Sequence, residues 1–310
     1  MSYTACPPLH RVSDHFAQVA KQPSQSDYFT FAVLCDPQLG LLERYVEKRP
    51  LPHKWDRELA LVQRAISVLN RLEPRPTFVV VCGDLIDAQP DMIYRKEQTD
   101  DLLQTFKNLN SDITLFTLPG NHDVGDNPTE ENIKLHVRVW GDDYYHFIVN
   151  RTKFLVLNTQ LLWNDSNCKE SSQVFQEWLR KQLTETSENE VVNSIVLQHI
   201  PFFVNAVGEA DDYFNIPQRH RTALLSNLYQ AGFRYVFTGH LHRNNVHTWA
   251  PTPGLEPMHL VSTTSTGVQL GSDQAGFRLV RVHNDGTVNH KYWSFDELEG
   301  ILDNGHQPDF

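Results

Sequence analysis

The chain has 310 residues, 40% of them hydrophobic, and a formal net charge of −11 at pH 7. That length can bury a sizeable core as one large α/β domain or two small ones, and the acidic balance argues against a nucleic-acid groove as the main surface. No stretch reaches the roughly 18 consecutive apolar residues of a membrane span. The opening MSYTACPPLHRVSD lacks the basic start and apolar centre of a signal peptide, so a cytoplasmic protein with neither a membrane nor a nucleic-acid partner is expected. Cys6, Cys35, Cys82 and Cys168 form no C-x-x-C pair, which fits a reducing compartment.

Residues 1–27 are polar and irregular and read as an arm; 28–295 read as one α/β domain, and 296–310 as a C-terminal tail. Phe31-Ala32-Val33-Leu34 begins the organised chain as a strand. Trp55, Leu59, Val62, Ile66 and Leu69 then recur at alternating spacings of four and three, so 55–72 is predicted as an amphipathic helix, stopped by Pro74 and Pro76. The β-branched run TFVVVC (77–82) suits a strand covered on both faces. A helix at 96–109 leads into ITLFTL, and YYHFIV and KFLVLN read as a hairpin around Asn150-Arg151-Thr152. Helices at 172–186 and 217–230 precede SIVLQ and FRYVFT, the second ended by Gly232. The strands MHLVST, FRLVRV and TVNHKYW close the domain, the last two joined through Asn284-Asp285-Gly286. The expected organisation is two packed sheets flanked by helices.

The chemistry lies just past the end of each apolar run. FAVLC runs into Asp36-Pro37-Gln38, TFVVVC into Gly83-Asp84-Leu85-Ile86-Asp87, and ITLFTLP into Gly120-Asn121-His122-Asp123. SIVLQ runs into His199, and FRYVFT into Gly239-His240-Leu241-His242. Ligands of open α/β sheets bind beyond the carboxyl ends of the strands, so these distant residues can converge there. Asp36, Gln38, Asp84, Asn121, His199, His240 and His242 combine carboxylate, amide and imidazole without thiolate, a set that suits Mn, Fe or Zn. They are too many for one ion. Two divalent ions about 3.5–4 Å apart and sharing one carboxylate would use them all, and would suit in-line attack on phosphorus.

The ordered set resembles the calcineurin-like metallophosphoesterases, whose pattern runs D-x-H, G-D-x-x-D, G-N-H-[DE], H and G-H-x-H. It is closer still to the serine/threonine phosphatase branch of calcineurin-like phosphoesterase domain-containing proteins, with DPQ-x-G-L, CGDLIDA, W-G-D-D-Y at Trp140 to Tyr144, QHIP at Gln198 to Pro201 and GH-x-HRN at Gly239 to Asn244. Each block alone is weak, but five in order are specific. The resemblance implies a β-sandwich of two mixed sheets and a binuclear centre of Mn, Fe, Zn or Mg. Asp36, Gln38, Asp84 and His242 would surround the first metal, and Asp84, Asn121, His199 and His240 the second. It further implies His122 as general acid, Asp123 orienting or electrostatically supporting it, and Asp87 as an outer partner or turn former.

The implied function is hydrolysis of phosphoserine or phosphothreonine on a protein. A nucleotide phosphodiesterase or pyrophosphatase is the alternative, and a non-catalytic scaffold a further one. One position departs from the family pattern: Gln38 stands where the family has an imidazole. Its amide oxygen is the harder ligand, so the first metal is expected to lean towards Mn or Mg over Zn and to be held less tightly. The remaining histidines, His136 among them, read as surface or hydrogen-bonded residues. Asp211-Asp212-Tyr213 reads as a solvated loop, with the rim of the cleft as its functional alternative.

Overall fold

In Phe78–Cys82 every side chain is apolar, and the segment forms a strand buried along its whole length. In the computed structural model, which describes residues 27–184 and 191–310, this strand, β2, lies inside a five-stranded sheet. Its partners are β1 (Tyr28–Leu34), β3 (Thr114–Leu118), β10 (Gly276–His283) and β11 (Val288–Ser294), in the order β11-β10-β1-β2-β3. The second sheet has the order β4-β5-β6-β7-β9-β8. It is built from β4 (Tyr145–Val149), β5 (Thr152–Leu157), β6 (Asn193–Gln198), β7 (Tyr235–Thr238), β8 (Asn245–Trp249) and β9 (Met258–Ser262). Both sheets are mixed, and the domain is α/β with helices on the outer faces.

The sheets meet through aromatic rings that alternate along their strands. Phe31 stacks on Phe78 with centroids 4.7 Å apart, Phe147 stacks on Phe154 at 4.8 Å, and Phe78 meets Phe154 edge to face at 5.1 Å. Each such pair adds about 0.5–1.5 kcal/mol beyond the area it buries. On the outside of the first sheet lie α1 (Asp56–Arg71), α2 (Arg95–Phe106) and α8 (Phe295–Asp303), packed into one apolar cluster. The second sheet is covered by α6 (Lys169–Thr184) and α7 (Gln218–Gln230). The one-turn helices α3 (Asn121–Val124) and α5 (Gln160–Trp163) and the longer α4 (Glu130–Trp140) complete the set.

Topology positions the site. β1, β2 and β3 run parallel, as do β5, β6, β7 and β9. The carboxyl ends of the strands carrying the five sequence blocks therefore gather at one end of the sandwich.

Some elements depart from the sequence reading. Helix α4 was not expected, because its buried positions Ile133, His136 and Trp140 are few and one of them is polar; Thr129 caps it, its hydroxyl accepting from Asn132 N at 3.2 Å. His136 is not a satisfied histidine. It is 1% exposed, neither ring nitrogen has a hydrogen-bond partner among the described residues, and burial, helped by the Arg95 charge, pushes its pKa down to about 3. Strand β8 alternates half-exposed and exposed residues, so no apolar run marks it.

Residues 296–310 do not trail away as a tail. Ser294 and Glu297 form a reciprocal capping box, Phe295, Leu298 and Leu302 enter the core, and Arg64 of α1 reaches Glu299 (2.6 Å) and Asp296 (2.5 Å). Residues 1–26 of the expected arm, and residues 185–186 at the expected end of the 172–186 helix, lie outside the described residues. Among the described residues no helix is long and apolar enough to cross a membrane.

Candidate active site

Beyond β1 the chain turns sharply. Asp36 and Gln38 take positive φ values of 48° and 39°, and Asp84, His240 and His242 do the same at 50°, 69° and 51°. Left-handed backbone is costly for residues with a Cβ, and its concentration on the expected ligands marks a functional site. Neighbouring glycines make room for their side chains. A Cβ on Gly120 would stand 2.2 Å from Asp84 Oδ1, and one on Gly239 would stand 2.6 Å from Asp36 Oδ2.

The structure draws all seven expected ligands to the strand ends, and each is at most 5% exposed. Ligand atoms of Asp84, His199 and His240 lie within 4.8 Å of one another, as do those of Asp36, Asp84 and His242. Asp84 is common to both groups. Asn121 joins the first group through Oδ1, 3.2 Å from His199 Nε2. Gln38 is tied in by its backbone, Gln38 N donating to Asp84 O at 3.0 Å, and its side-chain Oε1 is buried with no hydrogen-bond partner among the described residues.

Whether these residues suit a pair of divalent ions can be decided from where their protons must be. His199 Nδ1 faces Cys82 O at 2.8 Å, His240 Nε2 faces Tyr213 O at 3.0 Å, and His242 Nδ1 faces Val268 O at 2.5 Å. A carbonyl only accepts, so each outer nitrogen carries a proton, and each ring in its neutral form presents the inner lone pair to the site. Asn121 is fixed likewise: its Nδ2 donates to Asp126 Oδ1 (2.9 Å) and to the Tyr213 hydroxyl (2.7 Å), which turns Oδ1 inward. The inner nitrogens of His199 and His240 are 3.1 Å apart, so a proton or a metal cation must mediate between them. The donor set fits a metal pair.

Electrostatics agree with that reading. Burial pushes Asp36 well above the usual carboxylate range; the His199 charge opposes this and the Asp84 charge adds to it. Asp84 goes the other way, because the imidazoles of His199, His122 and His240 outweigh its burial. His199 is raised to about 10: burial works against its proton, but Asp84 and Asp36 hold it. Burial lowers His240 to about 3 and His242 to about 4. So many buried ionisable groups need a compensating cation, and bound divalent ions would hold the carboxylates ionised and the imidazoles neutral.

His122 stands beside this cluster, its N–H donating to Asp84 Oδ1 at 2.8 Å and its Nδ1 2.6 Å from Asp87 O. Among the described residues no hydrogen bond joins Asp123 to the His122 ring. Asp123 instead accepts from Gly120 N (2.7 Å) and Leu85 N (3.1 Å), lacing the second and third blocks together, and burial with the nearby Asp84 charge raises its pKa to about 7. Asp87 takes the place beside the ring, with its Oδ1 3.5 Å from His122 Nδ1.

Two supports escaped the sequence reading. Arg95 donates to the carbonyls of Ala88, His122 and Asp123 at 2.6, 3.1 and 2.5 Å, and the loop after β9 holds Asp36 through Ser265 Oγ on its carbonyl (2.6 Å). The signal for that loop was present: the hydroxyl run Ser262-Thr263-Thr264-Ser265-Thr266 ends an apolar strand and is wholly buried. Of Asp211-Asp212-Tyr213, the two acids are exposed and Tyr213 reaches the site.

Gln38 supplies a prediction that needs only metal analysis. Gln38→His is expected to raise retention of the first ion through gel filtration by about tenfold, since an imidazole nitrogen replaces a neutral amide oxygen. Unchanged retention across Mn, Zn and Mg would remove Gln38 from the ligand set.

Comparison with known proteins adds the lineage. The family model "Calcineurin-like phosphoesterase" matches residues 29–244. A Bos taurus protein, serine/threonine-protein phosphatase CPPED1, is 39% identical over 279 residues, covering 89% of this chain and 87% of its own. Among solved structures, a dimetal phosphatase from Danio rerio aligns with TM-score 0.55 at 16% identity, covering 87% of this chain and 100% of that one. Purple acid phosphatase PPD1 from yellow lupin (Lupinus luteus) aligns with TM-score 0.61 at 12% identity, covering 90% of this chain and 53% of that one; at such identities both show the fold alone. Family model, relative and the shared-carboxylate site agree, and the chain belongs to the calcineurin-like phosphoesterase family.

Proposed function

We propose that the protein is a metal-dependent serine/threonine phosphatase that hydrolyses phosphoserine and phosphothreonine on proteins. The observation that carries the reading is Asp84, one carboxylate common to two donor groups, with the His122 backbone N–H bonded to its Oδ1. The choice of a phosphoprotein substrate rests on the relative at 39% identity. Three buried, unpaired cysteines, Cys35, Cys82 and Cys168, favour a reducing compartment such as the cytoplasm.

Asp36, Gln38, Asp84 and His242 would hold one divalent ion, and Asp84, Asn121, His199 and His240 the other. When bound, the pair supplies positive charge for the phosphoryl oxygens and acidifies water towards the attacking hydroxide. His122 has Nδ1 committed to Asp87 O, which leaves Nε2 to give its proton to the leaving serine or threonine oxygen. Asp123, through Gly120 N and Leu85 N, keeps the two turns in register, and the Tyr213 hydroxyl and carbonyl hold Asn121 and His240 in their ligating orientations.

A phosphoserine peptide, p-nitrophenyl phosphate and ADP-ribose, compared side by side with Mn-loaded protein, test the proposal. Both monoesters are expected to turn over, and the peptide at least about tenfold faster in kcat/KM than ADP-ribose, a margin that binding interactions readily supply. Cleavage of ADP-ribose alone would overturn the phosphatase reading and assign the site to nucleotide pyrophosphates.

A further inference from the structure

The π-helical turn Leu42–Val46 contributes no metal ligand, yet it is fastened to the site. Asp36 N donates to Gly83 O (3.2 Å), Gln38 N to Asp84 O (3.0 Å) and Asp87 N to Leu39 O (3.1 Å), so the loops after β1 and β2 are zipped together. Glu58 of α1, 1% exposed, then accepts from Gly40 N and Leu42 N, both at 3.1 Å, and fixes where the turn begins. Glu47 N closes it on Leu42 O, five residues back, at 2.9 Å. Such wide turns are rare and collect at functional positions.

This turn delivers Arg44 onto Asp87. Arg44 Nε meets Asp87 Oδ2 at 2.5 Å and Nη2 meets Oδ1 at 2.7 Å, a fork on a fork. Asp87 is 2% exposed and cannot turn to water, while the Arg44 side chain is 31% exposed. Asp87 also meets His122, whose Nδ1 is 2.6 Å from the Asp87 carbonyl and 3.5 Å from Oδ1. With both carboxylate oxygens claimed by the guanidinium, Asp87 has one orientation. Its carbonyl and its charge then reach the His122 ring together.

The geometry points to Arg44 as a positioning residue for His122, the outer member of an Arg44–Asp87–His122 chain that aims Nε2 at the leaving oxygen. The inference rests on the phosphatase reading above. In that reaction, hydroxide from water forms the new bond to phosphorus and the bond from phosphorus to the serine oxygen breaks. The bonding pair goes to that oxygen with the Nε2 proton, giving inorganic phosphate and free serine. An alkoxide leaves poorly without the proton, whereas p-nitrophenolate leaves without help. Damage to the aiming of His122 therefore falls on alkyl esters and spares activated aryl esters.

Arg44→Ala is tested in the full-length, Mn-loaded protein. The expected result is a fall of about 30-fold or more in kcat on a phosphoserine peptide, with less than about a threefold change on p-nitrophenyl phosphate and in either KM, and unaltered metal content. Free guanidinium ion is expected to restore part of the peptide activity, and Arg44→Lys, which cannot fork onto both oxygens, is expected to recover little. Equal losses on both substrates, a change confined to KM, or full activity would each overturn the positioning role. A wild-type protein that hydrolyses neither monoester would instead overturn the phosphatase reading itself.

Discussion

Replacing Asp84 by asparagine is expected to empty both metal positions and to lower turnover of any phosphomonoester by at least about 10³-fold, roughly 4 kcal/mol of transition-state stabilisation. The size comes from position. Asp84 alone belongs to both donor groups, so an amide there places an N–H donor where two cations require an anion. Asp36 belongs to one group only, and Asp36→Asn is expected to deplete one ion and leave the other. The fold should survive in Asp84→Asn, because an asparagine Oδ1 can still accept the 2.8 Å hydrogen bond from His122 N. Metal content per chain, near-ultraviolet circular dichroism and p-nitrophenyl phosphate turnover measured on one preparation separate these effects. Two ions retained in a folded Asp84→Asn protein would refute the shared-carboxylate site.

The blocks that lead to this site were legible because strand ends write themselves plainly. FVVVC followed by Gly-Asp, and TLFTL followed by Pro-Gly-Asn-His, each couple an apolar run to a turn and then to a ligand type, and the parallel pairing of β1, β2 and β3 does the rest. Partnerships across the site were less legible. Asp123 follows His122 directly in the third block, and the resemblance gave it a supporting role there. In a one-turn helix, however, its carboxylate reaches back to Gly120 N, and Asp87, which lies 35 residues before His122, fills the place beside the ring. Arg44 and Arg95 gave no signal, since the carboxylate or carbonyls that a guanidinium meets are brought to it by the fold and not by its neighbours in sequence. On the fold, α4 and β8 were hidden by mixed polarity, and α8 by its position at the chain's end, although Ser294 and Glu297 spell a capping box that sequence alone could have read.

Stripping the metals from the wild-type protein is expected to lower its melting temperature by roughly 10 °C, and Mn to restore it. Ions that bind only the folded chain contribute about 4 kcal/mol per site when free metal exceeds its dissociation constant a thousandfold. This chain has specific reason to depend on them. Asp36, Gln38, Asp84, His240 and His242 all hold positive φ, and at about 1 kcal/mol or more each the backbone carries a substantial local cost. Asp36 and Asp84 are buried side by side among three imidazoles, and only His199 is pushed towards its charged form. Divalent charge would offset the carboxylates directly and let His240 and His242 remain neutral, the state that burial already favours. The Phe31, Phe78 and Phe154 core between the sheets is far less sensitive to metal, so the stripped protein should stay folded at room temperature and lose order first in the loops bearing the ligands. Thermal melting with and without chelator, joined to hydrogen exchange of the amides at 36–44 and 239–244, measures both effects. Identical melting and protection in the two states would mean that the folded chain does not bind the ions, whatever its donor geometry.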